Sequence, residues 1–382
     1  MFRKLMGLTT ACILLFSVMP AAAQVPVSLP PLSGPFPVGY TSYAWVDAAR
    51  PEMLLPDTTA PREVVVGIHY PANPGRAAQH VSYAPGLVED ALGLFLPYPS
   101  DVIADNLLPQ AYADAPLPRT PRTFPVVVFL VDVDSSPVYY TAWLEDLASQ
   151  GYIVVSVSHP YSSQFTVFPD GRVAFAVEGG GRAALDTAAS ADSLGDVWVG
   201  DVRFVLDQLA LLNQEDERFR RRLDMTRVAI IGDGFGGGVA LSASLADNRL
   251  TAGISLDGMV VGDGREQGVS QPFMFMGETA PSTRRSQDTA DERRHYDSAE
   301  TAYQVDLPGE QPLKYASDRQ FMEAVFNLGE GREATLPGGR EAQIIRRYTA
   351  AFLDKHLRGA AVPLLDAPSP EFPEVVFERR GK

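Results

Sequence analysis

The sequence has little cysteine and little positive charge. Its one cysteine among 382 residues is Cys12, close to the amino terminus. A chain processed beyond that point carries no thiol, which excludes disulfides, thiolate metal sites and a cysteine nucleophile together. Only 32 lysines and arginines face 47 aspartates and glutamates, which leaves a formal net charge of −15. Such an acidic chain lacks a phosphate-neutralising surface, so no nucleic-acid partner is expected.

Apolar runs that approach the length of a membrane span are also scarce, apart from one at the amino terminus. Arg3 and Lys4 precede an apolar stretch that ends in small residues up to Ala23. This layout is typical of a secretory signal peptide at residues 1–23, and the apolar core is shorter than the roughly 20 residues of a membrane span. We therefore expect a secreted or periplasmic protein with no transmembrane segment after cleavage. A membrane anchor is the alternative, and lipid attachment at Cys12 is disfavoured because that residue lies inside the apolar core.

Residues 24–382 are expected to form a single domain with a proline-rich excursion at about 71–124. Continuous apolar runs are typical of strands buried on both faces, and segments of helical period lie between them. This alternation predicts an α/β fold with a mostly parallel central sheet and helices on both faces. The predicted strands are 41–46, 62–70, 124–131, 152–157, 227–231, 252–256 and 272–276, and the predicted hairpin is 165–173. The predicted helices are 136–150, 192–212, a helix that follows Gly238 and ends at about 245, and 340–357.

A glycine-framed turn follows one of these buried strands and precedes a helix. Its residues are Gly232, Asp233, Gly234, Phe235 and Gly236. A strand, a tight turn and a helix form the nucleophile elbow G-x-S-x-G, whose central residue adopts a strained positive φ. The central residue here is Gly234, so the elbow lacks a nucleophilic side chain.

Two other interpretations of the turn remain open. Aspartate can be a nucleophile on such an elbow, but Asp233 would take that role only if Ile231 and Phe235 were the framing glycines. A glycine-rich turn can also bind a dinucleotide phosphate, with an acidic residue about 20 positions further on, where Asp257 lies. The position of the turn after three earlier strands argues against a dinucleotide site.

Several segments together resemble the secreted platelet-activating-factor acetylhydrolases and their bacterial α/β-hydrolase relatives. The resemblance covers about residues 34–357 and implies the α/β-hydrolase fold and a serine esterase ancestry. In that family the elbow reads G-H-S-F-G-G, against Gly232-Asp233-Gly234-Phe235-Gly236-Gly237 here. The other matching segments are Gly34–Gly39, Tyr70–Ala72, Leu144–Tyr152, His159–Tyr161, Val167–Arg172 and Leu256–Gly258.

The resemblance also assigns the remaining triad positions. Asp257, in the Leu256-Asp257-Gly258 segment, matches the triad acid. The segment 309–315 is the best match to the family's histidine segment, and it places Pro312 where the base belongs. The resemblance therefore implies that the acid is retained, whereas the nucleophile and the base are absent.

The oxyanion loop departs from the family as well. Relatives have a histidine and several glycines after the third strand, whereas this chain has Asp132, Val133 and Asp134. Carboxylates beside a developing oxyanion would repel it, which reverses the electrostatics that ester hydrolysis requires. We expect a damaged oxyanion hole centred on Asp132 and Val133.

None of the five histidines lies in the segment where the family places its base. His69, His80, His159, His295 and His356 are each expected to be structural or superficial. His295 is the one whose loop could reach the site.

The leading hypothesis is a secreted, non-catalytic α/β-hydrolase-fold protein that binds a lipid-like or ester ligand without a cofactor. The rivals are an active ester or phospholipid acetyl hydrolase, as the family implies, and a binding or assembly protein of the cell envelope. A more speculative prediction concerns Asp132, Asp134, Asp233 and Asp257, which would meet at one sheet edge. Four carboxylates could bind Ca²⁺ there, although separate solvation of each is the simpler expectation.

Overall fold

The computed structural model describes most of the chain beyond the amino-terminal segment. The expected signal peptide at 1–23 lies outside the described residues. No helix within the described part is long and apolar enough to cross a membrane. The described residues are 27–56, 59–97, 99–265, 267–278, 293–308, 316–322, 324 and 339–381.

Ten of the described strands form one twisted sheet, with the strands numbered along the chain. Two further sheets pair β1 (Val27–Ser28) with β4 (Leu107–Leu108), and β8 (Phe165–Val167) with β9 (Val173–Phe175). In spatial order the strands of the large sheet are β14 (Val376–Arg380), β13 (Ala302–Leu307), β12 (Phe273–Glu278), β11 (Leu250–Leu256), β10 (Leu223–Asp233), β6 (Phe124–Leu130), β7 (Ile153–Ser158), β3 (Pro61–Pro71), β2 (Val38–Pro51) and β5 (Tyr112–Ala113).

The centre of the large sheet is parallel and its flanks are partly antiparallel. Strands β7, β6, β10, β11, β12 and β13 run in the same direction, whereas β3 pairs antiparallel with both β2 and β7. All seven residues of β6 are buried, as expected for a strand covered on both faces. The fold class predicted from the sequence is therefore confirmed, whereas β13 and β14 were not predicted.

Helices cover both faces of the sheet and divide the core in two. Apolar residues of α3 and α6 belong to one cluster of buried side chains, and those of α4 and α5 belong to the other. The proline-rich excursion contributes α1, α2, β4 and β5, so it is partly helical. The helices labelled along the chain are α1 (Leu87–Gly93), α2 (Ser100–Asn106), α3 (Thr141–Ser149), α4 (Ala188–Glu215), α5 (Phe235–Ala246) and α6 (Gly339–Arg358), and residues 293–298 are also helical.

A buried ion pair joins three separate elements beside the sheet. Asp201 of α4 accepts hydrogen bonds from Arg62 of β3, with Nη2–Oδ2 at 2.7 Å, and its Oδ2 lies 2.8 Å from Nδ1 of His159. All three side chains are almost fully buried. Burial alone would raise the pKa of Asp201, but the Arg62 charge overrides it and holds that pKa well below its usual value. Asp201 is therefore ionised inside the protein, and its buried charge is stabilised by Arg62 and His159.

Removal of this buried charge should be costly. We expect Asp201→Asn to lower the free energy of unfolding by about 3–5 kcal/mol, because Arg62 keeps a buried charge with a weakened partner. Urea denaturation measures the change. The matched control is Asp207→Asn on the same helix, where the exposed carboxylate pairs with Arg249 and the loss should be about 1 kcal/mol or less. Equal losses at the two positions would contradict the role given to Asp201.

Candidate functional site at the carboxyl edge of the sheet

Gly234 lies at the tip of the turn between β10 and α5. Its φ is 54°, a conformation that side-chain-bearing residues seldom adopt. The backbone is closely packed around it, since a Cβ on Gly232 would lie 2.0 Å from the Gly236 carbonyl oxygen. The turn therefore has the backbone of a nucleophile elbow, and glycine occupies its centre.

Asp257 follows β11, the strand next to β10, on the same edge of the sheet. Its φ is also positive, at 49°, and its N–H donates to the Met276 carbonyl. The Gly234 N–H in turn donates to the carbonyl of Leu256. The positions matched to the triad nucleophile and the triad acid are thus brought together, as the sequence predicts.

Asp132, which follows β6, reaches across to the elbow. Its Oδ1 accepts one hydrogen bond from the Val133 N–H at 3.0 Å and another from the Phe235 N–H at 2.8 Å. In α/β-hydrolases an oxyanion hole is formed by the N–H after the nucleophile and an N–H of this preceding loop. The sequence pattern predicts Val133 and Phe235 at those two positions, and in the structure both N–H groups are directed at a carboxylate of the chain itself.

The same carboxylate takes the space of a side chain at position 234. A Cβ on Gly234 would lie 2.5 Å from the Asp132 Cγ and 2.6 Å from its Oδ1, closer than real Cβ contacts. A serine at 234 and the observed Asp132 conformation therefore exclude each other.

Arg182 and Asp134 complete this contact on the solvent side. The Arg182 guanidinium donates to Oδ2 of Asp132 at 2.9 Å, and the Arg182 N–H donates to Oδ2 of Asp134 at 2.8 Å. The Arg182 side chain is 55% exposed and Asp132 is 28% exposed. Both carboxylate oxygens of Asp132 are thus hydrogen-bonded, and Asp134 holds the segment that carries Arg182.

Asp233 makes a separate contact with Tyr140, just before α3. The Tyr140 hydroxyl donates to Asp233 Oδ2. Burial raises the pKa of Asp233, the Tyr140 bond lowers it and the nearby charges of Asp132 and Asp257 raise it, and together these effects bring it to about 7. Burial also raises the pKa of Tyr140 well above its usual value. Part of the Asp233 population is therefore neutral near pH 7.

The four aspartates do not assemble as the speculative metal site. Within the described residues, no group of three or more histidine, cysteine, aspartate or glutamate side chains is placed to hold a metal ion. Asp132 and Asp134 are instead engaged by Arg182, and Asp233 by Tyr140. The calcium hypothesis has no geometric support in this structure.

The five histidines all lie in structural contacts. His159 is buried, bonded to Asp201 and stacked on Trp198 at 3.8 Å. His295 is buried, with Nε2 at 2.6 Å from the Gly264 carbonyl oxygen and Nδ1 accepting from the Val269 N–H. The other three pack against tyrosines: His69 on Tyr40, His80 on Tyr112 and His356 on Tyr303.

Pro312 and the rest of the segment 309–315 lie outside the described residues. The assignment of this segment to the base position therefore stays a prediction.

Sequence reasoning missed two residues of the site. Tyr140 belongs to a pair of tyrosines just before α3, and such an aromatic pair is typical of the hydrophobic core. Arg182 follows three consecutive glycines in a segment without helical or strand period. Neither pattern indicates a partner across the sheet edge, because the contacts form only after the loops come together.

A cavity of about 580 Å³ lies beside the same loop region, between the large sheet and the excursion. Ser136, Pro137, Val138 and Thr141, around the start of α3, form one of its walls. None of the described residues that line the cavity is an aspartate, glutamate, lysine or arginine. Burial lowers the pKa of the lining residue His69 to about 3, so its imidazole is neutral at physiological pH. The cavity has the size of a small-molecule site and an uncharged wall.

Comparison with solved structures gives a whole-chain match. A ferulic acid esterase from Streptomyces cinnamoneus superposes with a TM-score of 0.75 at 26% identity, covering 92% of this chain and 98% of that one. This likeness agrees with the mostly parallel sheet and the elbow described above.

Curated sequences give matches of similar identity. A probable 1-alkyl-2-acetylglycerophosphocholine esterase of Arthroderma benhamiae is 26% identical over 271 residues, and the platelet-activating factor acetylhydrolase of Cavia porcellus is 25% identical over 271 residues. These alignments span 66% and 63% of this chain and 66% and 59% of the relatives' own lengths, which is less than two thirds in both cases.

The family described as platelet-activating factor acetylhydrolase, isoform II, matches residues 21–174 and 196–305, which is more than half of the chain. The matched residues include the elbow, the Asp132 loop and Asp257. On this evidence the chain belongs to the platelet-activating factor acetylhydrolase isoform II family.

Proposed function

We propose that this protein is a non-catalytic member of its esterase family that binds an uncharged, lipid-like or ester ligand. The observation that carries the proposal is the Asp132 carboxylate. It lies where the nucleophile side chain would stand and accepts from both oxyanion-hole N–H groups. The site therefore lacks the reacting group and has no room for a substrate carbonyl oxygen.

Loss of the nucleophile alone typically costs a serine hydrolase about a million-fold in kcat. The residual rate depends largely on the oxyanion hole, and in this chain an anion already occupies that hole. Asp233 is a poor substitute nucleophile because it is half-buried, bonded to Tyr140 and partly protonated near pH 7. Each described histidine is engaged in another contact.

The main rival is an active carboxylic ester or phospholipid acetyl hydrolase. Family membership and the esterase neighbours favour it. It would require a nucleophile and a base other than those the family pattern assigns. The third candidate, a binding or assembly protein of the cell envelope, would use the former active-site mouth as an interaction surface, and no specific contact supports it.

The cavity between the sheet and the excursion is the place where a ligand would bind. Its uncharged wall disfavours ions, because a buried charge without a partner is strongly destabilised. Its lining combines aromatic and aliphatic side chains with several hydroxyls, among them Ser156 and Thr166. An uncharged molecule with a large apolar part and one or two polar groups fits that chemistry.

Purified protein should not hydrolyse short acyl esters such as p-nitrophenyl acetate above the rate of a denatured control. Gly234→Ser with Pro312→His restores two side-chain types of a triad, and we still expect at most weak activity because Asp132 occupies the hole. Steady-state release of p-nitrophenol measures both rates.

Two variants serve as controls for this assay. Robust activity in the unmodified protein that survives both Asp233→Ala and His295→Ala would show that the catalytic machinery lies elsewhere. Full activity of the Gly234→Ser, Pro312→His variant would show that Asp132 is readily displaced.

Ligand binding can be tested with two fluorescent probes that share one ring system. N-phenyl-1-naphthylamine is uncharged, whereas 1-anilinonaphthalene-8-sulfonate carries a sulfonate. We expect the uncharged probe to bind and the sulfonate to bind at least tenfold more weakly, a difference of about 1.4 kcal/mol. Fluorescence titration gives both Kd values.

A matched pair of variants locates the binding. Ser42 is exposed on β2 and lines the cavity, whereas Ala44 is exposed two residues further along and does not. Ser42→Trp should weaken binding of the uncharged probe about tenfold, and Ala44→Trp should leave it unchanged. Equal effects of the two substitutions would place the probe elsewhere.

The charge state of Asp233 predicts a pH effect on stability. Because its pKa rises on folding, the protonated carboxyl stabilises the folded state fully below about pH 4, and this contribution is lost as the pH rises to about 7. The unfolding free energy of the unmodified protein, relative to that of Asp233→Asn, should therefore decrease by about 1 kcal/mol or more between pH 4.5 and 7.5. Urea denaturation at both pH values measures it, and a constant difference would contradict the raised pKa.

A further inference from the structure

We propose that the oxyanion hole of this chain is retained as a carboxylate-binding site and that Asp132 is its tethered ligand. The sequence suggests a hole damaged by acidic residues. The structure instead places one carboxylate oxygen on both of its donors. This inference deepens the proposed function and rests on it, because an active esterase needs the same donors for its substrate.

The donor geometry is that of a working oxyanion hole. The two N–H groups lie 3.0 Å and 2.8 Å from Asp132 Oδ1, within the range of about 2.7–3.1 Å for donors that stabilise an oxyanion. The Phe235 N–H is at the first turn of α5, where the helix dipole also favours negative charge. The hole has therefore kept its affinity for an anionic oxygen.

The contact differs from an ordinary loop turn. An aspartate that only shapes its own loop would bond the backbone within a few residues of itself, as Asp132 does with Val133. The bond to Phe235 instead spans 103 residues and joins two strand ends. The charge of Arg182 on Oδ2 holds the carboxylate in place from the solvent side. Asp132 thus has the environment of a bound carboxylate, with three donors on two oxygens.

The ligand class follows from the size of the group that Asp132 inserts. Its side chain consists of one methylene and a carboxylate, so the free molecule of the same shape is acetate. The site that an Asp132→Gly substitution would open should therefore take a short monocarboxylate. Arg182 would supply the second contact, to the oxygen that points to solvent.

Chemical rescue tests the proposal. Asp132→Gly should have a lower Tm than the unmodified protein, because two N–H donors lose their partner. Addition of 100 mM sodium acetate should raise the Tm of that variant by about 2–4 °C relative to equal sodium chloride, through binding to the folded state alone. The unmodified protein should show no acetate-specific shift, because its hole is filled.

Asp134→Gly is the matched control. Asp134 lies in the same loop, has the same side chain and bonds the same arginine segment, but it does not contact the two oxyanion-hole donors. Its variant should show no acetate-specific shift. No shift in Asp132→Gly, or an equal shift in Asp134→Gly or the unmodified protein, would overturn the proposal.

A second measurement covers the case in which Asp132→Gly does not fold. In the unmodified protein, hydrogen exchange at the amides of Val133 and Phe235 should be slow, and in Asp132→Asn, which keeps an oxygen acceptor, it should stay slower than in Asp132→Ala. Fast exchange of both amides in the unmodified protein would overturn the proposal. Failed rescue in an esterase-inactive protein would remove only this inference, whereas measured esterase activity would remove the proposed function.

Discussion

The ion pair between Asp201 and Arg62 connects the parts of the molecule that hold the elbow in place. Asp201 also fixes the His159 ring, which stacks on Trp198, and Trp198 meets Phe235 edge to face with ring centroids 5.1 Å apart. Phe235 supplies one of the two N–H groups that bind Asp132. The geometry of the oxyanion hole therefore depends on a buried charge that is several contacts away from it, and a buried charge tolerates little displacement of its partners.

Most of the central sheet could be predicted from the sequence because its strands are buried on both faces. Such strands read as unbroken apolar runs, as in β6 and β7. β14 escaped prediction for a physical reason: it is an antiparallel edge strand that mixes exposed and buried residues, and it pairs with β13 from a sequence distance of more than 60 residues. A short edge strand leaves only a weak periodic signal.

The elbow was predictable to the residue, whereas the chemistry around it was not. Local geometry explains why glycine stands at 232 and 236, since the backbones of these two residues are in direct contact. The contact of Asp132 with the elbow cannot be read from the local sequence, because its partner Phe235 is 103 residues away. From the sequence alone, a carboxylate in the oxyanion loop predicts repulsion of an oxyanion. The proposal that the carboxylate itself takes the oxyanion's place depends on the three-dimensional contact with Phe235.

Gly234 and Asp132 are consequently one structural feature rather than two separate departures from the family pattern. A side chain at 234 would collide with the Asp132 carboxylate, and glycine also relieves the cost of the positive φ, of order 1–3 kcal/mol for other residues. A serine returned to the elbow would have to displace an anion held by two backbone donors and Arg182. Gly234 leaves the space that the Asp132 carboxylate occupies, and that carboxylate in turn stabilises the elbow through its bond to the Phe235 N–H. Glycine at 234 and aspartate at 132 therefore stabilise each other.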